Sequence, residues 1–266
     1  MVKKRADVVL FERGLVDSRE KAKRIIMEGS VFIGTERISK PGEKIDLDAD
    51  IYIKDNPIKY VSRGGLKLEK AIEEFGLNLE GAVAMDIGAS TGGFTDCMLQ
   101  NKAKKVYAVD VGYGQLDWSL RQDPRVVVME RTNIRYVSPD DIEDELDFVS
   151  IDVSFISLEL VLPVAASLMK DKAELIALIK PQFEAGREKV GKNGIVREKE
   201  THIEVVKKIV DFMAEIGLGP KNLSYSPITG AKGNIEFLIH GVKNGENLIQ
   251  QERIIEIVDL AHGEFK

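Results

Sequence analysis

The chain has 266 residues, of which 44% are hydrophobic and 31% are charged, with a formal net charge of −6. This length is typical of two domains, and the negative balance argues against a protein that coats nucleic acid over its whole surface. The sequence has no apolar run long enough to span a bilayer, and it shows no signal peptide. The single Cys97 excludes an internal disulfide. We therefore expect a cytoplasmic protein without a membrane partner.

The first 55 residues predict a small α+β domain. Its predicted elements are helices at 6–14 and 18–29 and strands at 31–33 and 51–53. Ser18 is a suitable N-cap for the second helix. Residues 1–30 carry eight basic and five acidic side chains, and such a local basic face on an acidic protein indicates a confined polyanion site. We assign this domain to residues 1–55 and a linker, marked by Pro57, to residues 56–62.

From residue 63 onward helices and strands alternate, which predicts a doubly wound, mostly parallel α/β sheet. The seven predicted strands are 83–87, 105–110, 125–129, 147–152, 174–179, 222–228 and 234–241. The predicted helices are 64–76, 93–101, 115–122, 157–169 and 199–217. The last two strands, joined by a short connection, are expected to bring one antiparallel strand into this Rossmann-like sheet. We assign the domain to residues 63–245 and a C-terminal helix and tail to residues 246–266.

A glycine-rich turn, Asp86-Ile87-Gly88-Ala89-Ser90-Thr91-Gly92-Gly93, follows the first strand of this sheet. Glycines let the backbone approach a ligand closely, and the following helix N-terminus offers N–H donors. Asp110 ends the next strand, where a carboxylate can bind ribose hydroxyls. Asn133, after the third strand, either contacts an adenine or caps its own loop.

Three kinds of ligand suit such a turn. A triphosphate loop requires Gly-Lys-Ser/Thr, which is missing, and a dinucleotide loop requires glycine spacing that Gly88, Gly92 and Gly93 do not have. Asp86 is a poor neighbour for a pyrophosphate but a suitable one for an ammonium or sulfonium group. The turn therefore favours S-adenosylmethionine as cofactor. A metal site is not expected, since ligand-like spacing is missing among His202, His240, His262 and Cys97.

Several short segments carry a family resemblance. They are Arg63-Gly64-Gly65-Leu66-Lys67-Leu68, Ser150-Ile151-Asp152-Val153-Ser154-Phe155, Ile179-Lys180-Pro181-Gln182-Phe183-Glu184 and Gly233-Asn234-Ile235-Glu236-Phe237. Together they resemble the TlyA (hemolysin-A-like) RNA methyltransferases, whose catalytic domain is similar to the FtsJ-type ribose methyltransferases. Arg5-Ala6-Asp7 and Ser18-Arg19-Glu20 resemble an S4 RNA-binding domain. The resemblance covers nearly the whole chain.

The resemblance implies methylation of the ribose 2′-hydroxyl of cytidine in ribosomal RNA, with ribosomal RNA or ribosomal subunits as partner. It also implies a catalytic tetrad, namely Lys67, Asp152, Lys180 and Glu236. We assign cofactor binding to Asp86, Gly88, Ala89, Ser90, Gly92, Gly93, Asp110, Asn133 and Asp152. We assign RNA binding to Lys4, Arg5, Arg19, Lys23, Arg24 and Arg63.

A ribose hydroxyl is a weak nucleophile, so positioning and a well-placed polar group matter most for this reaction. We place Lys180 nearest the 2′-oxygen, either as a base or as a cation that stabilises the developing alkoxide. Asp152 is expected to orient Lys180 and to complement the sulfonium. Lys67 and Glu236 would complete a charge-balanced network, with Lys67 in a helix and Glu236 in the last strand.

Three other functions compete with this interpretation. A membrane-acting hemolysin would need an insertion element beyond ordinary core-facing helices. A non-catalytic RNA-binding factor would not need the complete tetrad. A nicotinamide-dependent dehydrogenase would need a different glycine spacing.

Overall fold

The computed structural model describes residues 3–16, 18–27, 29–34, 36–53 and 59–265. The chain divides into two compact units, Met1–Lys59 and Tyr60–Lys266. Residues 56–58 of the predicted linker, which include Pro57, lie outside the described residues. Residues 60–62 of the predicted linker fall in the second unit. There the buried Tyr60 ring covers Gly65, and the backbone N of Val61 donates to Asp96 Oδ2 at 2.7 Å.

The first unit folds from short helices and strands. In chain order they are β1 (Lys3–Arg5), α1 (Ala6–Glu12), α2 (Arg19–Met27), β2 (Val31–Ile33), β3 (Glu36–Arg37), β4 (Lys44–Asp46) and β5 (Ile51–Ile53). Strand β1 pairs with β4, and β2 pairs with β3 and β5, all antiparallel. The sequence predicted β2 and β5 but missed β1, β3 and β4. Those strands are two or three residues long and mostly charged, so they carry no hydrophobic alternation.

The core of the first unit lies where α1 packs against α2. Apolar side chains recur at helical spacing and are buried at Ala6, Val9, Leu10, Ala22, Ile25 and Ile26. The predicted cap of α2 is confirmed, since Ser18 Oγ accepts from the backbone N of Lys21 at 3.1 Å. The small α+β domain at the front of the chain is likewise confirmed.

The second unit is organised around a seven-stranded sheet. Its strands are β6 (Val83–Ile87), β7 (Lys105–Val109), β8 (Val126–Met129), β9 (Leu146–Ile151), β10 (Met169–Ile179), β11 (Leu218–Tyr225) and β12 (Phe237–Lys243). Their spatial order is β11-β12-β10-β9-β6-β7-β8. Strand β12 runs antiparallel to both neighbours, whereas the pairs from β10 to β8 are parallel. The predicted doubly wound sheet with one antiparallel strand is confirmed.

Helices cover both faces of this sheet. They are α3 (Gly65–Phe75), α4 (Gly93–Gln100), α5 (Trp118–Gln122), α6 (Leu162–Leu168), α7 (Pro181–Glu184), α8 (Lys199–Glu215) and α9 (Gln251–Glu264). Helices α3, α4 and α5 contribute to the core on one face, and α6, α8 and α9 contribute to the core on the other. The C-terminal helix α9 buries Ile254, Ile257 and Val258 against α8 and β11, so it is part of the second unit.

The predicted helix over 157–169 is wrong in detail. The structure has a 3₁₀ turn at Leu158–Leu160, then α6, and Met169 already begins β10. The predicted strand 174–179 therefore starts five residues too late. A register shift in the pairing of β10 with β9, between Met169 and Glu174, accommodates the charged residues that look like a loop in the sequence. The predicted helices 115–122 and 199–217 are shorter in the structure, as α5 and α8.

The last two predicted strands, 222–228 and 234–241, are displaced relative to β11 and β12. Glu236 consequently precedes β12 and does not lie in it. Residues 226–236 form a folded turn, closed by hydrogen bonds from Ser226 N to Glu236 O at 2.8 Å and from Gly230 N to Asn234 O at 2.9 Å. The displacement brings Glu236 to the carboxyl edge of the parallel strands. Within the described ranges, the helices lack the length and apolar content that a membrane span requires.

Candidate active site

The glycine-rich turn connects the carboxyl end of β6 to the start of α4. Gly88 has a φ of +87°, and a Cβ at this position would lie 2.6 Å from the backbone oxygen of Asp152. A Cβ at Gly93 would lie 2.8 Å from the backbone N of Gly65. Glycine is required at both positions, because real side chains do not tolerate such approaches. The turn is thereby packed directly against the end of β9 and the start of α3.

Asp86 lies beneath the turn with a fully buried side chain. Its Oδ2 accepts from the backbone N and the Oγ1 of Thr95 at 2.9 and 2.7 Å, and its Oδ1 accepts from Ser150 Oγ at 3.2 Å. Burial raises the pKa of Asp86 to about 7, against the opposing effect of the Thr95 hydrogen bonds. The carboxyl group ties β6 to α4 and β9. It also lines a cavity of about 200 Å³ with Gly88 and Ser90.

Asp110 follows β7, and its carboxylate is held in place by backbone N–H groups. Oδ2 accepts from Ser90 N at 2.8 Å, and Oδ1 accepts from Gly112 N at 2.7 Å. Each oxygen retains a lone pair for a ligand hydroxyl. Asp110, Gly88 and Ser90 line a second cavity, of about 340 Å³, with Asn133. This cavity lies at the carboxyl edge of the sheet, where open α/β sheets bind their ligands.

Of the remaining residues of the predicted cofactor site, some line the two cavities and one does not. Asn133 Oδ1 accepts from Arg135 N at 3.2 Å, so it caps its loop while also lining the cavity of about 340 Å³. Ala89 and Gly93 line the cavity of about 200 Å³. Gly92 lines neither cavity. A Cβ at Gly92 would lie 2.2 Å from Leu120 Cδ1, so this glycine permits close packing beneath the turn.

Four charged residues from separate segments meet beside these cavities. Lys67 lies on α3, Asp152 follows β9, Lys180 follows β10 and Glu236 precedes β12. Lys67 Nζ lies 2.7 Å from Glu236 Oε2 and 3.5 Å from Asp152 Oδ2. Lys180 Nζ lies 2.5 Å from Asp152 Oδ1. The order Glu236, Lys67, Asp152, Lys180 therefore alternates in sign and balances two cations with two carboxylates.

These ion pairs are largely removed from solvent. Lys67 and Lys180 are each 8% exposed, and Glu236 is 3% exposed. Burial acts to raise the pKa of Asp152, but the ammonium groups of Lys67 and Lys180 outweigh it and hold that pKa below its usual range. Removing one member of such a set leaves a neighbour unpaired in a poorly solvated place, which is strongly destabilising. The four residues therefore form one connected cluster of ion pairs.

A third cavity, of about 440 Å³, is lined by Lys67, Lys180 and Glu236. Ser154 lines all three cavities, and Lys180 lines the first and the third. Lys180 Nζ also donates to Ser154 Oγ at 3.1 Å. The cavities are thus neighbours that meet at Lys180 and Ser154. This arrangement suits the transfer of a group between two molecules bound side by side.

The sequence missed several residues that line the third cavity, namely Ser154, Phe155, Gln182, Phe183 and Lys232. Phe155 is 89% exposed with a φ of +64°, and its ring centroid lies 5.0 Å from that of Phe183. Positive φ in a bulky residue is strained and clusters at functional sites. A sequence signal was present, because each phenylalanine follows a tetrad residue, Asp152 or Lys180, by three positions.

The basic residues assigned to RNA binding fall in both units. Arg63 belongs to the second unit, where it lines the third cavity and donates to the backbone oxygen of Thr229 at 3.4 Å. In the first unit, Arg5 and Arg19 form ion pairs with Asp7. The others of that unit lie on β1 and α2, namely Lys4, Lys23 and Arg24.

The fold and the cavities together define a class of protein. A mostly parallel seven-stranded sheet with β12 antiparallel, a glycine turn after β6 and an acidic residue after β7 is the architecture of the Rossmann-like methyltransferases. The model of the FtsJ-like methyltransferase family matches residues 60–243, and that of the S4 domain matches residues 4–51. The chain belongs to the FtsJ-like methyltransferase family and carries an S4 domain in front.

Similar proteins agree with this placement. The chain is 55% identical to YqxC of Bacillus subtilis, provisionally named an rRNA methyltransferase, over 99% of this chain and 96% of that protein. It is 41% identical to the 16S/23S rRNA (cytidine-2′-O)-methyltransferase TlyA of Mycobacterium tuberculosis, over 88% of each. A solved structure from Streptococcus thermophilus, provisionally named a hemolysin, has a TM-score of 0.80 and 52% identity, covering 100% of this chain and 98% of that one. The resemblance to the TlyA family is confirmed.

Proposed function

We propose that this chain transfers a methyl group from S-adenosylmethionine to the ribose 2′-hydroxyl of a cytidine in ribosomal RNA. The observation that carries the proposal is the position of Lys180, paired with Asp152, where neighbouring cavities meet. The substrate follows the similarity to the mycobacterial protein named a 16S/23S rRNA (cytidine-2′-O)-methyltransferase. The S4 domain supports RNA as the partner.

The cavities around the glycine turn fit the methyl donor. Gly88 lets the turn approach the backbone of Asp152 closely, and both residues line the two cavities beside the turn. Asp110 would hold the ribose hydroxyls of the donor, Asn133 would face its adenine, and Asp152 would complement its positive charge. When bound, S-adenosylmethionine supplies an electrophilic methyl group on a sulfonium.

The cavity of about 440 Å³ would receive the target nucleoside. Arg63 and Lys232 line it and would attract the phosphates on either side of that nucleoside. The exposed ring of Phe155, beside Phe183, offers a face on which an unstacked base can rest. Enzymes that act on a nucleotide inside folded RNA commonly take it out of its stack in this way.

In this proposal Lys180 acts on the 2′-oxygen as a cation. Its Nζ, held by Asp152 and Ser154, would donate a hydrogen bond to that oxygen and stabilise the negative charge that develops on it. As the oxygen bonds to the methyl carbon, the methyl–sulfur bond would break and the hydroxyl proton would pass to solvent water. Asp152 positions Lys180, and Lys67 holds Asp152 from the other side. The negative charge of Glu236 balances the positive charge of Lys67, so the four side chains need no rearrangement before the reaction.

The proposal is tested by incubating the protein with methyl-labelled S-adenosylmethionine and ribosomal subunits from cells that lack this modification. We expect label in the RNA of at least one subunit. Donor binding is measured separately by calorimetry. Tight donor binding with no label in either RNA would contradict the proposal and favour a non-catalytic RNA-binding factor.

A further inference from the structure

Asp7, near the start of α1, joins two arginines of the first unit. Its side chain is fully buried, whereas the side chains of Arg5 and Arg19 are 51% and 46% exposed. Arg5 donates from Nε to Oδ1 at 2.9 Å and from an Nη to Oδ2 at 3.2 Å, and Arg19 donates from an Nη to Oδ2 at 3.1 Å. One buried carboxylate thus fixes two surface guanidinium groups.

The environment keeps Asp7 charged and immobile. The hydrogen bond from Arg5 lowers the pKa of Asp7 by more than burial raises it. The backbone N of Asp7 donates to the backbone oxygen of Pro41 at 3.1 Å, which anchors α1 to the turn at 41–42. A carboxylate in the first turn of a helix is also favoured by the helix dipole.

The arginine that Asp7 holds most firmly faces an open groove. This groove, of about 850 Å³, is lined by Arg5, Lys23, Ser39, Lys40, Pro41, Gly42 and Glu43. The guanidinium of Arg5 lies against the turn, since a Cβ at Gly42 would be 3.2 Å from its Nη1. The Glu43 carboxylate accepts from Ser39 N at 3.4 Å. Three cations and one carboxylate among the described lining residues give the groove a positive balance that suits a chain of phosphates.

We propose that Asp7 is a positioning residue that holds Arg5 and Arg19 ready for RNA phosphates and does not itself contact the RNA. The inference takes RNA as the ligand from the proposed function. A guanidinium has five N–H donors. Among the described residues, Arg5 uses two of its donors on Asp7 and Arg19 uses one, so three and four are left by these contacts for phosphate oxygens. Because arginines lose much rotamer entropy when they are immobilised, fixing them in advance strengthens binding.

The variant Asp7→Asn distinguishes this inference from a purely electrostatic effect, because the two predict opposite changes in RNA affinity. Removing a carboxylate beside a cationic groove raises the positive potential, which by itself tightens phosphate binding. Releasing Arg5 and Arg19 from their fixed positions weakens phosphate binding. Glu36→Gln is the control, since it removes an exposed carboxylate on β3 of the same unit.

The experiment measures filter binding of the full chain to labelled, unmethylated ribosomal subunits over a range of salt concentrations. We expect Asp7→Asn to weaken binding about tenfold and to reduce the slope of log Kd against log salt by about 1. Glu36→Gln should bind as the wild type does or more tightly. Binding by Asp7→Asn as tight as that of Glu36→Gln would overturn the inference.

The variant Arg5→Lys keeps the positive charge but cannot donate two parallel N–H hydrogen bonds to Asp7. We expect it to fold like the wild type and to bind more weakly, which keeps the test decisive if Asp7→Asn unfolds. Wild-type affinity for Arg5→Lys would overturn the inference. In methylation assays both variants should raise KM and leave kcat unchanged. A wild type that binds the subunits but does not methylate them would overturn the proposed function and leave this inference standing, whereas absence of wild-type binding would overturn both.

Discussion

Lys67 and Glu236 are 169 positions apart in the chain, and their Nζ and Oε2 atoms are 2.7 Å apart. The contact joins α3, which precedes the sheet in the chain, to the turn before β12, which ends it. Lys67 also reaches Asp152, so this pair fixes the carboxylate that holds Lys180. The tetrad depends on the complete sheet, because each member comes from a different segment.

This relationship predicts non-additive effects on stability. Lys67→Ala and Glu236→Ala should each lower the free energy of unfolding by roughly 3 kcal/mol, since each removes one side of a buried ion pair. The double variant should lose less than the sum of the two, with a coupling on the order of 1 to 3 kcal/mol. Urea unfolding of the four proteins measures this coupling. Simple additivity would show that the contact contributes nothing specific.

Lys180 should be separable from donor binding. Lys180→Ala is expected to lower kcat by about 10²- to 10³-fold, because it removes the cation that stabilises charge on the 2′-oxygen. Donor affinity, measured by calorimetry, should change little. Lys180→Arg keeps the charge and should retain more activity than the alanine variant. Equal inactivity of both variants, with donor and RNA binding intact, would argue for a proton-accepting lysine.

Asp86 should give the protein a measurable pH dependence of stability. Its pKa is about 7 in the folded state, above the ordinary value of 3.8, so the folded state keeps a proton that the unfolded state has lost between these values. Stability should therefore fall as the pH rises from about 4 to about 7, by on the order of 3 kcal/mol. Asp86→Asn removes this contribution. Thermal melts of both proteins from pH 5 to 8 should diverge in favour of the variant, and parallel curves would contradict the assignment.

Gly88 and Gly81 offer a matched pair for the glycine turn. Both have positive φ, +87° and +78°, but a Cβ at Gly81 meets no atom within 4 Å, whereas one at Gly88 lies 2.6 Å from the Asp152 oxygen. Gly81→Ala should cost about 1 kcal/mol of stability from backbone strain alone. Gly88→Ala should cost more and should also weaken donor binding at least tenfold, because it displaces Asp152. Equal donor affinity in the two variants would remove the turn from the donor site.

The sequence predicted the second unit well because its strands are apolar and its polar residues stand at strand ends. Asp110, Asp152 and Lys180 follow β7, β9 and β10, where the parallel topology gathers them at one edge. Glu236 was misplaced, since a strand-like pattern conceals a turn that depends on hydrogen bonds between distant residues.

Other features carry no local signal at all. The short charged strands of the first unit form through pairing with neighbours, and the link from Asp7 to Arg19 needs the packing of α1 on α2. The assignment of Gly92 to the cofactor stays a prediction, because packing against Leu120 and a ligand contact require the same residue type. Such distinctions depend on what lies opposite the residue in the folded chain.

The central claim is that the protein methylates a ribose, and not a base, at the place where the cavities meet beside Lys180. The most direct measurement is mass spectrometry of nucleosides from ribosomal RNA treated with the wild-type protein or with Lys180→Ala. We predict that 2′-O-methylcytidine accumulates with the wild type and stays at background with the variant. A methyl group on the base, or equal 2′-O-methylcytidine from both proteins, would contradict the claim.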